Sequence, residues 1–86
     1  MTRRITPETL AEVGTFLLGP EWRRPLAALL GPLHPEGARP SLDPRLPARW
    51  ATGEREIPVW VGDALIQILD EQSETARALA NRLKGE

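Results

Sequence analysis

Residues 42–57, LDPRLPARWATGEREI, decide how this chain folds. Asp43 is a good helix N-cap, Pro44 suits a first helical position, where a missing N–H is no loss, and Thr52-Gly53 supplies a stop. The stretch therefore predicts one short helix over 43–52, anchored by an inward Trp50 and carrying Arg45 and Arg49, one turn apart, on its outward face. Pro47 allows a second reading. Its nitrogen is the first that would have to donate back to the Asp43 carbonyl, so the regular part can instead begin near Pro47, after a preliminary turn. Arg49 lies on the helix in both readings, Arg45 only in the first.

Upstream, Thr6-Pro7-Glu8 reads as cap, first helical residue and a carboxylate at the positive end of the dipole, and Gly19-Pro20 is a stop, which predicts a first helix over 7–18. Leu10, Val13, Phe16 and Leu17 give it an apolar face. A second helix is expected over 21–30, where Pro25 means a break or kink, the favoured reading, or a true start near Arg24; Leu26, Leu29 and Leu30 form its stripe and Ala27 and Ala28 allow close approach of a neighbour. Residues 31–42, GPLHPEGARPSL, read as an extruded loop, with His34 solvated; a long loop adds little closure entropy, so its flanking helices can still pack together.

Downstream, Glu54-Arg55-Glu56 is a polar turn and Ile57-Pro58 leads into a final helix over 58–83. Val61, Leu65, Ile68, Gln72, Ala76, Leu79 and Leu83 recur at steps of three and four. At 1.5 Å per residue such a helix is roughly 38 Å long, more than the width of so small a domain. Its second half is expected to break near Gln72-Ser73-Glu74, to pack against the first helix, or to pair with a second copy as a homodimer. Asn81, Lys84 and Gly85 read as a fraying end. The expected architecture is all-α, a compact four- to five-helix bundle forming a single domain over 1–86.

Composition narrows the function. With 86 residues the chain holds one small core, and the aromatic residues Phe16, Trp22, Trp50 and Trp60 are expected near its seams. It has no cysteine and one histidine, so no zinc ligand set and no Ser-His or Cys-His arrangement is expected; the sequence predicts no metal, no cofactor and no enzyme activity. No apolar run approaches a membrane span, and MTRRITPETLAEV lacks the apolar segment of a signal peptide, so no membrane association and a cytoplasmic location are expected. The formal charge is −1, with the basic excess in residues 1–50 and the acidic excess in 51–86. All but one of the eleven basic residues are arginine, whose planar fork suits phosphate and guanine edges.

Trp22, Leu26-Ala27, Leu29-Leu30-Gly31, Arg49-Trp50 with Gly53, and Ile57-Pro58 ahead of a Leu-rich helix follow one another in an order that resembles small lambda-repressor-like (Cro-type) helix-turn-helix proteins of bacterial prophages. The likeness covers roughly residues 19–72. It implies that the 21–30 helix positions the 43–52 helix for recognition. The departure is the turn: a helix-turn-helix joins its helices by three or four residues, whereas residues 31–42 make an extended Pro-rich turn about three times as long.

On that resemblance the expected function is a sequence-specific DNA-binding transcriptional regulator of phage or mobile-element origin, with double-stranded DNA as partner. Arg45 and Arg49 would bond guanine edges, each giving roughly five- to a hundredfold discrimination, and Ala48 would meet a thymine methyl. Arg23, Arg24, Thr52 and Arg55 would hold phosphates, and Arg39 would reach one if the loop leans toward DNA. Dimerisation through the last helix would imply half-sites about one helical turn apart. The acidic balance, the stretched turn and Pro47 support a different class: a phage-derived inhibitor of the anti-CRISPR kind, reusing the scaffold to bind a protein or nucleoprotein complex. There Arg39, Arg45 and Arg49 with Trp60 would form the contact, Arg and Trp being prominent in interface hot spots.

Overall fold

The computed structural model describes residues 5–85. Four α-helices follow in order: α1 Pro7–Leu18, α2 Arg23–Leu30, α3 Leu46–Thr52 and α4 Val59–Gly85, with a 3-10 turn at Gly31–Leu33. No strand occurs among the described residues. The expected all-α bundle with a long C-terminal helix is what forms.

The Thr6 side chain accepts a bond from the Thr9 N–H at 3.1 Å, and Pro7 opens α1 where its missing N–H has no intrahelical role. The helix ends at Gly19, whose φ of 88° lies in the region where only glycine is at ease. Pro25 produces no kink. The alternative of a later start is what forms: α2 begins at Arg23, so Pro25 falls in the first turn and the Leu26 N–H makes the first bond, to Trp22 at 2.9 Å.

The helix expected over 43–52 is shorter than that. The Asp43 carbonyl receives the Leu46 N–H at 2.9 Å and its carboxylate receives the Arg45 N–H at 3.0 Å. Asp43 thus caps a turn over Pro44 and Arg45, and α3 begins at Leu46 with Pro47 in its first turn. It closes at Gly53, φ 81°, whose N–H bonds the Trp50 carbonyl at 3.2 Å.

Leu10 of α1, Trp22, Leu26, Ala27 and Leu30 at and along α2, Leu42, Trp50 of α3, Ile57, and Val61, Ala64, Leu65 and Ile68 of α4 share one core. Helix α1 packs against both α2 and α3, which pack on each other. Gly14 is what lets α1 approach. A β-carbon there would sit 2.6 Å from the Trp22 ring, which lies across the glycine and is 2% exposed. Trp22 and Trp50 occupy the core as expected and Trp60 is half-buried, but Phe16 is 76% exposed. Leu10 and Gly14 fill the inward face of α1, and Phe16 falls off it.

The loop is held at its base. The Gly31 carbonyl accepts the N–H groups of His34 at 3.2 Å and Arg39 at 3.0 Å, while the Leu42 N–H returns to the Ala27 carbonyl at 3.0 Å. Gly31 has no room for a side chain, since a β-carbon would lie 2.6 Å from the Ser41 Cα. His34 is not simply solvated: its ring packs on Trp60 with centroids 5.1 Å apart, and its Nδ1 accepts the Glu36 N–H at 3.1 Å. Residues 35–41 are exposed, and Leu42 is buried beneath them.

Helix α4 runs unbroken through Gln72-Ser73-Glu74 and continues to Gly85, past the expected end at 83. Its first half closes the core; every residue from Asp70 to Gly85 is exposed. Twenty-seven residues at 1.5 Å each span about 40 Å, and the molecule accordingly measures 49 Å along one axis against 29 and 27 Å on the others. None of the described helices is long and apolar enough to cross a membrane.

Candidate nucleic-acid interface

The starts of α2 and α3 meet at one open cleft of about 500 Å³, lined by Glu21, Arg23, Arg24, Pro25, Pro44, Arg45 and Ala48. Four of the residues expected to touch a partner therefore come together: Arg23, Arg24, Arg45 and Ala48. Pro25 lies in the first turn of α2 and Pro44 in the turn before α3, each next to one of these arginines. Three arginines and one acidic residue, Glu21, are among the lining residues. Arg23 also lies over the Trp22 ring, 4.9 Å from its centroid, a cation–π contact that favours this orientation.

Arg45 is not on the helix but immediately before it. Its Nε and one terminal nitrogen donate to the two carboxylate oxygens of Asp43, at 3.2 Å each. These bonds, joined by the Arg45 backbone N–H, hold the Asp43 carboxyl below its usual pKa, and the same carboxylate raises that of Arg45. Both side chains are exposed, at 73% for Arg45 and 45% for Asp43, so the pair orients the guanidinium more than it stabilises the fold.

Arg49 lies on α3 itself, half-buried, with its Nε 3.6 Å from Glu54 Oε2. Its carbonyl accepts the Thr52 hydroxyl at 3.2 Å and the Arg55 N–H at 3.2 Å, so the turn after α3 folds back on it. Thr52 and Arg55 consequently belong to this C-terminal side rather than to the cleft. Arg55 lies in a separate depression with Ile5, Pro7, Gly53, Glu56 and Ile57. Arg39 is held on the loop through its backbone bond to Gly31 and does not line the cleft.

Sequence reasoning missed the acidic partners. Asp43 was legible as a cap, but not as a fork acceptor for the arginine two residues on; Glu54 reaches Arg49 only because Gly53 turns the chain through a positive φ. Glu21, at the cleft rim, carried no signal beyond its charge. No group of three or more His, Cys, Asp or Glu suited to a metal ion occurs among the described residues. Comparison with protein-family models, curated proteins and solved structures gives no match for this chain.

Proposed function

We propose that this protein is a sequence-specific DNA-binding regulator of the kind found on phages and other mobile elements. The observation that carries the reading is the cleft where α2 and α3 begin, which gathers Arg23, Arg24 and Arg45 around Ala48. Phosphate contacts supply most non-specific affinity, so an acidic chain can bind DNA only by concentrating its arginines on one face. In this reading Arg23 and Arg24 hold the phosphate backbone and set register, while Arg45 and Arg49 enter the major groove on either side of the exposed face of α3.

The ion pairs of Arg45 and Arg49 are compatible with that role on grounds of magnitude. Exposed pairs are weak because water screens them and both side chains lose rotamer freedom. A bidentate bond to guanine is stronger, so Asp43 orients Arg45 and then yields it.

Fluorescence anisotropy with labelled fragments from upstream of the gene tests the proposal. Arg45→Ala should weaken binding to the preferred fragment about five- to a hundredfold, and Arg24→Ala should weaken all fragments alike while lowering the slope of log affinity against log salt by about one. Unchanged affinity in both variants, with the fold intact by circular dichroism, would refute it.

A second reading has its own support: each of the two recognition-type arginines carries a carboxylate on the same surface, Asp43 and Glu54, and carboxylates repel phosphate. Alternating charge of this kind suits a protein surface, as in an anti-CRISPR-like inhibitor. The responses to salt differ: a DNA contact weakens steeply with ionic strength, a desolvated protein contact weakly.

A further inference from the structure

The exposed half of α4 carries an organised surface that DNA contact at the cleft does not use. Val61, Leu65 and Ile68 are buried in the bundle, and the same stripe continues outward as Leu69, Gln72, Ala76, Leu79 and Leu83. Leu79 and Leu83 are 50% and 72% exposed. At the foot of this stripe lies a mainly apolar groove of about 450 Å³, walled by Leu29 of α2 and by Ile68, Glu71, Gln72, Thr75, Ala76 and Leu79 of α4.

Charge says what covers it. Of the charged side chains along the projecting half, Glu71 and Arg82 flank this stripe on the same side, whereas Asp70, Glu74, Arg77 and Lys84 lie on the opposite face of the helix. Two such segments side by side in the same direction leave Glu71 and Arg82 at different levels; in opposite directions Glu71 of each copy comes level with Arg82 of the other. Ala76 stands near the middle, where a small side chain allows the closest approach of the two helices.

We infer that the protein forms an antiparallel homodimer through residues 69–83 of α4, the tip leucine Leu83 of each copy seating in the groove at the foot of the other. The arrangement makes one continuous core from bundle to bundle, and the buried stripe no longer ends abruptly at Ile68. It stands independently of DNA binding, since it concerns a different face and a different observable.

Sedimentation equilibrium across micromolar concentrations should show a dimer for the wild type and a monomer for Leu79→Glu/Leu83→Glu, with helical content unchanged because neither leucine belongs to the bundle core. Because the chain has no cysteine, orientation can be read by mixing a Gln72→Cys chain with a Leu83→Cys chain under mild oxidation. Antiparallel pairing yields the mixed disulfide as the main product. A monomeric wild type at all concentrations, a dimer that survives both glutamates, or same-site disulfides predominating would each overturn the inference.

Discussion

Replacing Gly14 by alanine sets two known effects against each other, and the structure decides the sign. Within a helix, alanine is favoured over glycine by about 1 kcal/mol. Against this, the new methyl would lie 2.6 Å from Cδ2 and Cε3 of Trp22 and 2.9 Å from Cγ. Comfortable carbon contacts begin at about 3.5 Å, so ring and helix must separate by about 1 Å. The atoms in the way belong to the root and fused edge of the indole, and the side chain is 2% exposed, so the ring cannot swing aside. Overpacking of this kind costs about 1 to 3 kcal/mol. With the larger part of that range applying, the net loss is about 1 to 2 kcal/mol, a fall in melting temperature of roughly 4 to 16 °C for a domain of this size. Circular dichroism and tryptophan fluorescence should report the same transition. Trp22→Phe, a smaller ring, should be better tolerated in the Gly14→Ala background than in the wild type, giving a favourable coupling in the double-mutant cycle. A Gly14→Ala protein as stable as wild type or more so would show that α1 does not lie so close to the second helix, and the packing argument would fail.

Trp50→Ala removes a nearly fully buried ring and should cost about 3 to 5 kcal/mol, lowering the melting temperature by at least about 12 °C; an unchanged melt would place that ring outside the core. The Asp43 carboxyl, held below its ordinary pKa by Arg45, contributes stability above its unfolded pKa and loses it as pH falls through the folded one. A carboxyl-carbon NMR titration should therefore give a midpoint below that of an unpaired aspartate in the wild type and a higher midpoint in Arg45→Gln, and equal midpoints would dismiss the pair.

The parts of the fold legible in the sequence were those whose punctuation is local. Thr6, Pro7 and Gly19-Pro20 bound α1 at the residues expected, since cap, fixed φ and left-handed stop act on their own neighbours. The stripe from Val61 to Leu83 likewise announced α4, although nothing local showed that it stays unbroken to Gly85. The prolines were harder. Pro25 and Pro47 each allowed either a disrupted helix or a later start, and in both places the later start is what forms, with the proline in the first turn. Phe16 was misplaced because α1 meets Trp22 through the absence of a side chain at Gly14, a contact that apolar periodicity cannot register. At the site, the sequence supplied the arginines but not their grouping. Arg45 joined Arg23 and Arg24 through the meeting of two helix starts, while Arg39, Arg49, Thr52 and Arg55 went elsewhere.

The Pro-rich excursion after α2 leaves and re-enters the bundle through a narrow neck, closed by the carbonyls of Ala27 and Gly31. Such a neck makes residues 35–38 a side lobe whose length is uncoupled from the relation between α2 and α3. Inserting a peptide tag there, or nicking it with a protease, should leave the remaining bundle assembled, whereas one added side chain at Gly31 would force the neck apart.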